Sequence, residues 1–525
     1  MRKTVKKLTA VGLTVTSVLG LVACGSSEGT TSQGTSENKE VTKPDTFTVM
    51  CDGTVVTETN GAEAFYKQLN EATGLDIKWT RPDHASYYDA VANAFNSDDT
   101  MPDVVLLSSD YYALYASNGF LWNMTDAWEH SETKNSGRLI STADNVLSAL
   151  MVNGEDGTKA MYGLSLYRGN GCCTYVKKAW LDKAGIDASK VKDVQMDFNT
   201  YYGYLKQMAQ TMGHYVISSP GFIHPEAPNT NYLPEFYQKA QYTFYKDTSG
   251  KYVDGFAQQE MKEALQRIQT AVNDGVIDKE SVNNSTANAR DKFYSTDPST
   301  ETGVFTYWAG TWANTLKTNL ANKGLDDELI AIKPIKELGA YTERIAPCWC
   351  ITSAAKNPEG IFKYFIDKML DGGDVQMLWT HGAKGTHWDD KAETVTVEKK
   401  EDQPKTYTEG QFHYLPGIEK PDQWQTKNHI DPILSIANFT NGYVGESLIP
   451  EVARENGEFF AENSQVAVPL PMTSELSNNI GDINTARTYV IAQVALGYMT
   501  VDEGMDYYNK TVGSLSSAVL KSLNK

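Results

Sequence analysis

The chain has 525 residues, too many for one small core and enough for two packed bodies. It carries 66 acidic against 47 basic residues, a net charge of −19, which argues against nucleic acid and other polyanionic surfaces as partners. After the N-terminal segment no run of about eighteen apolar residues occurs, so no later stretch reads as a membrane-spanning helix.

The N-terminus is basic at Arg2, Lys3, Lys6 and Lys7, then uncharged and mostly apolar over residues 8–22, the layout of a secretory signal segment. Leu21-Val22-Ala23-Cys24 resembles a bacterial lipobox. That resemblance implies a diacylglyceryl group on the Cys24 thiol and cleavage before it; the alternative is an ordinary signal peptide with an incidental cysteine. Residues 1–23 are therefore read as signal peptide and 24–45 as lipidated cysteine plus linker. Residues 25–45 hold almost no apolar side chain, so burial cannot offset their ordering entropy and they are expected to stay flexible. Losing the four basic residues of the signal takes the net charge from −19 to −23.

From residue 46 onward strands and helices alternate. Phe47, Val49 and Cys51 alternate with polar residues as in a strand, and Phe65, Leu69 and Ala72 share a helix face that Gly74 ends. Leu75, Ile77 and Trp79 alternate again. Tyr88, Val91, Ala92 and Phe95 form a second helical stripe, and residues 101–107 (MPDVVLL) read as a buried parallel strand. This order predicts an α/β domain with a largely parallel sheet, whose ligands sit beyond the carboxyl ends of the strands. The loops there carry Asp52, then Asp83 and His84, then Asp110 and Tyr111. Carboxylates hydrogen-bond vicinal hydroxyls and aromatic faces cover the C–H patches of a pyranose, so the set suits sugars. An Asp at a strand end is equally often a helix cap.

Cys24 aside, five cysteines remain, an odd number that is no disulfide framework. Cys172-Cys173 and Cys348-x-Cys350 lack metal-site spacing and read as buried, strand-borne thiols. Asp247, Gly250 and Asp254 lack the register of a calcium loop; with Tyr245, Tyr252 and Val253 they read as a hairpin turning at Ser249-Gly250. Met261, Leu265, Ile268 and Val272 mark an amphipathic helix after it.

The order and spacing of several segments are similar to those of family 1 extracellular solute-binding proteins, which feed ABC sugar importers and include maltodextrin-binding proteins. The segments are GLDIKW (74–79), MPDVVLL (101–107), MYGLSL (161–166), YVKKAWLDKAGI (175–186), TGVFTYWAGTW (302–312), the stretch from Cys348 to Leu370, and residues 471–500. The resemblance implies an α/β, two-lobe, type II periplasmic-binding-protein-like fold with a hinge and an interlobe ligand cleft. It implies crossings at 162–169, at 344–353 and near 410–432. Lobe 1 is then 46–165 plus 350–415, and lobe 2 is 166–349 plus 416–525. It also implies an oligosaccharide ligand, the transmembrane subunits of an ABC permease as partners, and a monomer anchored by lipid at the extracellular face of the membrane.

By position in that family, Trp308 and Trp312, either side of Gly310, face ligand, unless one of them is core. Trp379 and Trp388 bracket a glycine-rich loop whose family counterpart precedes a cleft aromatic. Arg168, just after the first crossing, suits a uronate carboxylate, hydroxyls or a structural salt bridge. His224-Pro225-Glu226 stands in a Pro- and Asn-rich loop without an assigned place. No nucleophile elbow, zincin helix, phosphate loop or dinucleotide fingerprint is present, so the chain reads as a binder with no cofactor and no metal. The alternatives are a lipid-anchored glycan hydrolase, whose two carboxylates no sequence pattern reveals, and a receptor presenting ligand to a membrane sensor.

Overall fold

Seven strands, β1 (Thr46–Met50), β2 (Asp76–Thr80), β3 (Val104–Leu107), β4 (Cys172–Lys177), β5 (Val304–Trp308), β6 (Leu329–Ala331) and β7 (Cys348–Ile351), build the two main sheets. The computed structural model describes residues 40–53, 61–83, 86–139, 143–165, 169, 171–223, 231–325, 328–395, 404–415, 442, 449–468, 470–471 and 473–524. Cys24, His84, Arg168, the loop at His224 and most of the expected third crossing lie outside the described residues. A short unit, Met1–Glu40, precedes the body, Val41–Lys525.

The first sheet has the order β7-β3-β1-β2. β1 runs parallel to both β2 and β3, while β7, contributed from far along the chain, closes the edge antiparallel to β3. Phe47 and Val49 are buried between exposed Thr46 and Thr48, as the alternation predicts. The helix Ala62–Thr73 buries Ala62, Phe65 and Leu69 and ends at Gly74, whose φ of 62° lets its N–H reach the Asn70 carbonyl. Ala72 is exposed, so the buried stripe is narrower than the spacing implies. In the helix Tyr87–Ala94 it is Tyr87, not Tyr88, that is fully buried, its hydroxyl donating to the Leu106 carbonyl at 2.7 Å.

The second sheet, β6-β4-β5, is antiparallel throughout. The first apolar core draws on residues 47–164 and resumes at Ile345, because β7 belongs to the first sheet. A second core takes residues from Val176 to Ile335 and from Leu476 to Val519, and a third, from Cys172 to Tyr341 plus Phe460, also builds on second-sheet strands.

The hairpin Phe244–Lys246/Tyr252–Asp254 turns at Gly250 (φ 81°) as expected. Its carboxylates are engaged locally. Asp247 accepts from Ser249 and Lys251, whereas Asp254 is buried against Arg487 at 2.8 Å and takes hydroxyl donors from Tyr508 and Ser516. This buried pair ties the hairpin to the two C-terminal helices, Ser474–Ala495 and Val501–Leu523, and removing one partner leaves an uncompensated charge. Cys51, Cys172, Cys173, Cys348 and Cys350 are buried, the last four on β4 and β7. Burial pushes the Cys51, Cys173 and Cys348 thiols up to about 12, which removes thiolate reactivity at neutral pH.

Candidate functional site

Because β1, β2 and β3 are parallel, their carboxyl ends open on one edge. Hydrogen bonds continue past the ends of β1 and β2, from Cys51 N–H to Thr80 O at 3.1 Å and from Gly53 N–H to Pro82 O at 2.9 Å. A Cβ on Gly53 would sit 2.9 Å from that same Pro82 oxygen, so the close approach needs glycine. These bonds hold half-buried Asp52 in the same turn region as Arg81, whose guanidinium lies 5.0 Å above the Tyr66 ring. Tyr66 in turn packs on Trp79, ring centres 4.7 Å apart. Asp83 is exposed; its carbonyl, rather than its carboxylate, accepts from Ser86 N–H at 2.9 Å. Beyond β3, Asp110 and Tyr111 fall in the first turn of the helix Ser109–Ser117. Tyr111 stacks flat on Tyr88 at 3.8 Å, and Ser108 N–H donates to the Tyr88 hydroxyl.

In the second lobe the corresponding edge is a single turn. β5 ends at Trp308, paired in register with Cys172 at the start of β4. Gly310 (φ 66°, ψ −119°) then turns the chain into the helix Thr311–Asn322, with its N–H donated to Asn456 Oδ1 at 2.7 Å. Few L-residues adopt that backbone, so the turn that separates the two tryptophans depends on glycine. Trp308 is half-buried, with the Arg344 guanidinium 4.6 Å above its ring. Trp312 is also half-buried, edge-on to Tyr307 at 5.0 Å and beneath Arg290 at 5.3 Å.

The first two crossing segments run side by side between these edges. Leu164 and Trp349 exchange backbone hydrogen bonds of 3.0 and 2.8 Å. The Ser165 hydroxyl lies 3.0 Å from the Pro347 carbonyl. Glycines make the approach possible: a Cβ would meet Cys350 Sγ at 2.7 Å from Gly163, Arg344 O at 1.4 Å from Gly169 and Thr342 O at 2.1 Å from Gly171. No ordinary side chain fits at Gly169.

The remaining predicted residues separate. Trp379 is 1 % exposed and packs edge-on between Phe65 at 4.9 Å and Trp349 at 5.7 Å, within the first apolar core. Trp388 is half-buried, stacked on Phe412 at 5.1 Å, with its indole N–H spent on the Gly382 carbonyl at 2.9 Å. Sequence reasoning missed Arg344, Arg290, Tyr66 and Tyr88. The one available signal was the cation Arg344 immediately before the apolar run IAPCWCI (345–351) of the second crossing. Among the described residues no His, Cys, Asp or Glu cluster is arranged to hold a metal ion, and no helix is long and apolar enough to cross a membrane.

No protein-family model matches the chain, and no curated protein matches it by sequence. Solved structures do. The sugar-binding protein MalE from the phytopathogen Xanthomonas citri matches with a TM-score of 0.57 at 14% identity, over 90% of this chain and 98% of that one. The N-glycan transport solute binding protein NgtS from Streptococcus pneumoniae gives 0.55 at 16% identity, over 91% and 98%. A family 1 extracellular solute-binding protein from Bifidobacterium longum subsp. infantis gives 0.56 at 13%, over 90% and 100%. At such identities the likeness is one of architecture, and it spans nearly the whole of each neighbour. The chain therefore has the two-lobe, type II α/β fold of the family 1 extracellular solute-binding proteins.

Proposed function

We propose that the protein is an extracellular receptor that captures an oligosaccharide between its two lobes and hands it to the transmembrane subunits of an ABC importer. Lobe 1 is 46–165 plus 350–415, lobe 2 is 166–349 plus 416–525, and a lipid on Cys24 anchors the whole to the outer face of the membrane. The observation that carries the reading is the turn at Trp308–Trp312. It displays two half-buried indoles at the end of the second sheet where the glycine-lined crossings enter. Indole faces are the side chains best suited to the C–H surface of a pyranose. Asp52, Asp83, Asp110 and Tyr111 would supply hydroxyl contacts from the first lobe, with Arg81 beside them.

Capture works by closure. A ligand touching both lobes stabilises only the state in which both edges reach it, so its differential affinity drives the hinge. Narrow glycine contacts at the crossings confine the motion to few residues. The neighbour from Streptococcus pneumoniae transports N-glycans and another from Bifidobacterium longum infantis is an HMO-binding, ABC-transporter-associated protein, which supports a glycan as cargo here.

The test is a thermal-shift screen of the purified protein against plant and host oligosaccharides, with the sugar recovered and analysed afterwards. Ligand at 100 times its dissociation constant raises stability by about 2.7 kcal/mol. A selective shift with intact sugar is the expected result. Cleaved sugar would make the chain a hydrolase, and no shift with any glycan would end the sugar reading.

A further inference from the structure

Among the described residues, Arg344 is the one arginine whose guanidinium makes neither a hydrogen bond nor an ion pair. Others are committed: Arg487 to Asp254, Arg454 to Glu458, Arg138 to the Leu370 carbonyl, Arg267 to the Phe236 carbonyl. Arg344 Nε is shielded from solvent without an acceptor. The chain is strongly acidic, with 66 carboxylates, so the absence of a partner is not for want of acids. Its neighbour Glu343 is buried and turned to the Ser464 hydroxyl at 3.2 Å. The position is also fixed. The Arg344 carbonyl faces Gly169 of the other crossing, and the guanidinium lies 4.6 Å over Trp308. Arg290 repeats the arrangement at the second indole, 5.3 Å over Trp312, hydrogen-bonded to the Tyr307 hydroxyl and without a carboxylate.

We propose that the cleft takes an acidic oligosaccharide, and that Arg344 receives the carboxylate of a uronic or sialic acid while the sugar bearing it lies against Trp308. This rests on the sugar-capture reading and specifies its ligand. A guanidinium presents a planar fork that matches a carboxylate with two parallel N–H···O bonds, and stacking on an indole holds that plane in place. A neutral sugar offers the fork single hydroxyl acceptors and neither the charge nor the two parallel oxygens of a carboxylate.

The experiment compares matched pairs by calorimetry: sialyllactose with lactose, and glucuronic-acid-substituted xylotriose with xylotriose, at low and high salt. The acidic member of at least one pair binds about tenfold tighter than its neutral partner, and the preference shrinks with salt. Arg344→Gln brings the two members of that pair within about twofold of one another, and Arg344→Lys recovers only part of the preference because it lacks the fork. Neutral members binding as tightly as acidic ones overturn the inference and leave the sugar reading intact. So does an Arg344→Gln variant that weakens both equally. Binding of none of the four overturns the inference for these acids and leaves the sugar reading to the wider oligosaccharide panel. The wild-type preference and its salt dependence decide the matter even where the variant fails to fold.

Discussion

The two lobes meet the cleft in different ways. In the first, three parallel strands end on one edge, so candidate ligand groups come from three separate turns at Asp52, Arg81–Asp83 and Ser108–Tyr111. In the second, the sheet is antiparallel, alternate strand ends point away, and the cleft end is left to one turn, Trp308 to Trp312. On the proposed reading, the parallel edge distributes recognition over many weak polar contacts, whereas the antiparallel edge concentrates it in a few large aromatic surfaces. Among the described residues of the crossings, Arg344 is the proposed ligand contact.

The comparison breaks most severely at the seam. Gly169→Ala drives a Cβ to 1.4 Å from the Arg344 carbonyl, backbone against backbone, and should cost about 3 kcal/mol or more by overpacking. A fall in the denaturant midpoint checks it; an unchanged midpoint would mean the crossings are not in contact.

The second sheet also covers a buried acid that sharpens the contrast. Glu235 accepts from Thr174 Oγ1 at 2.7 Å and Tyr341 OH at 3.4 Å, with Tyr201 close by, and desolvation raises its carboxyl to about 7. The folded value lies above the unfolded one of about 4.3. The native state therefore keeps the proton longer, and the contribution of Glu235 to stability is full below about pH 4.3, is lost as pH rises toward 7 and is flat above it, by roughly 3–4 kcal/mol in all. Glu235→Gln should flatten that slope in melts taken at pH 5, 6 and 8; an unaltered slope would assign it to other groups.

Concentrated recognition predicts that Trp308→Ala weakens binding of the best oligosaccharide by about 2 kcal/mol, on the order of thirtyfold, with Trp312→Ala smaller because that indole is flanked by Tyr307 and Arg290. Distributed recognition predicts a small loss, about 1 kcal/mol or less, for Asp83→Asn, since a hydrogen bond to an exposed carboxylate exchanges against water. Titrations of both variants test the contrast directly. Equal losses at Trp308 and Asp83 would abolish it.

Local pattern already contained much of the first lobe. Alternation of Phe47 and Val49, the glycine stop at residue 74 and the apolar run before Ser108 each depend on neighbours within a few residues, and each forms the element it predicts. The same is true of the hairpin at Gly250 and of the helix Gln259–Asn273, which buries Met261, Leu265 and Ile268. These are properties of periodicity and backbone freedom, which a chain carries whatever it later packs against.

What pattern does not hold is which tryptophan stays reachable. Trp308 and Trp379 both stand near glycines in sequence, yet one ends a strand at the seam and the other is enclosed by Phe65 and Trp349, residues far from it along the chain. The pairing of β7 with β3, the meeting of Gly169 with Arg344 and the placing of Arg344 over Trp308 likewise join segments separated by long stretches of chain. Sequence by itself determined the elements and the acidic, tyrosine-rich character of the body. Only the tertiary structure decided the burial of each aromatic ring and, among the described residues, left one arginine without a partner, because burial and pairing are fixed by what the folded chain brings together.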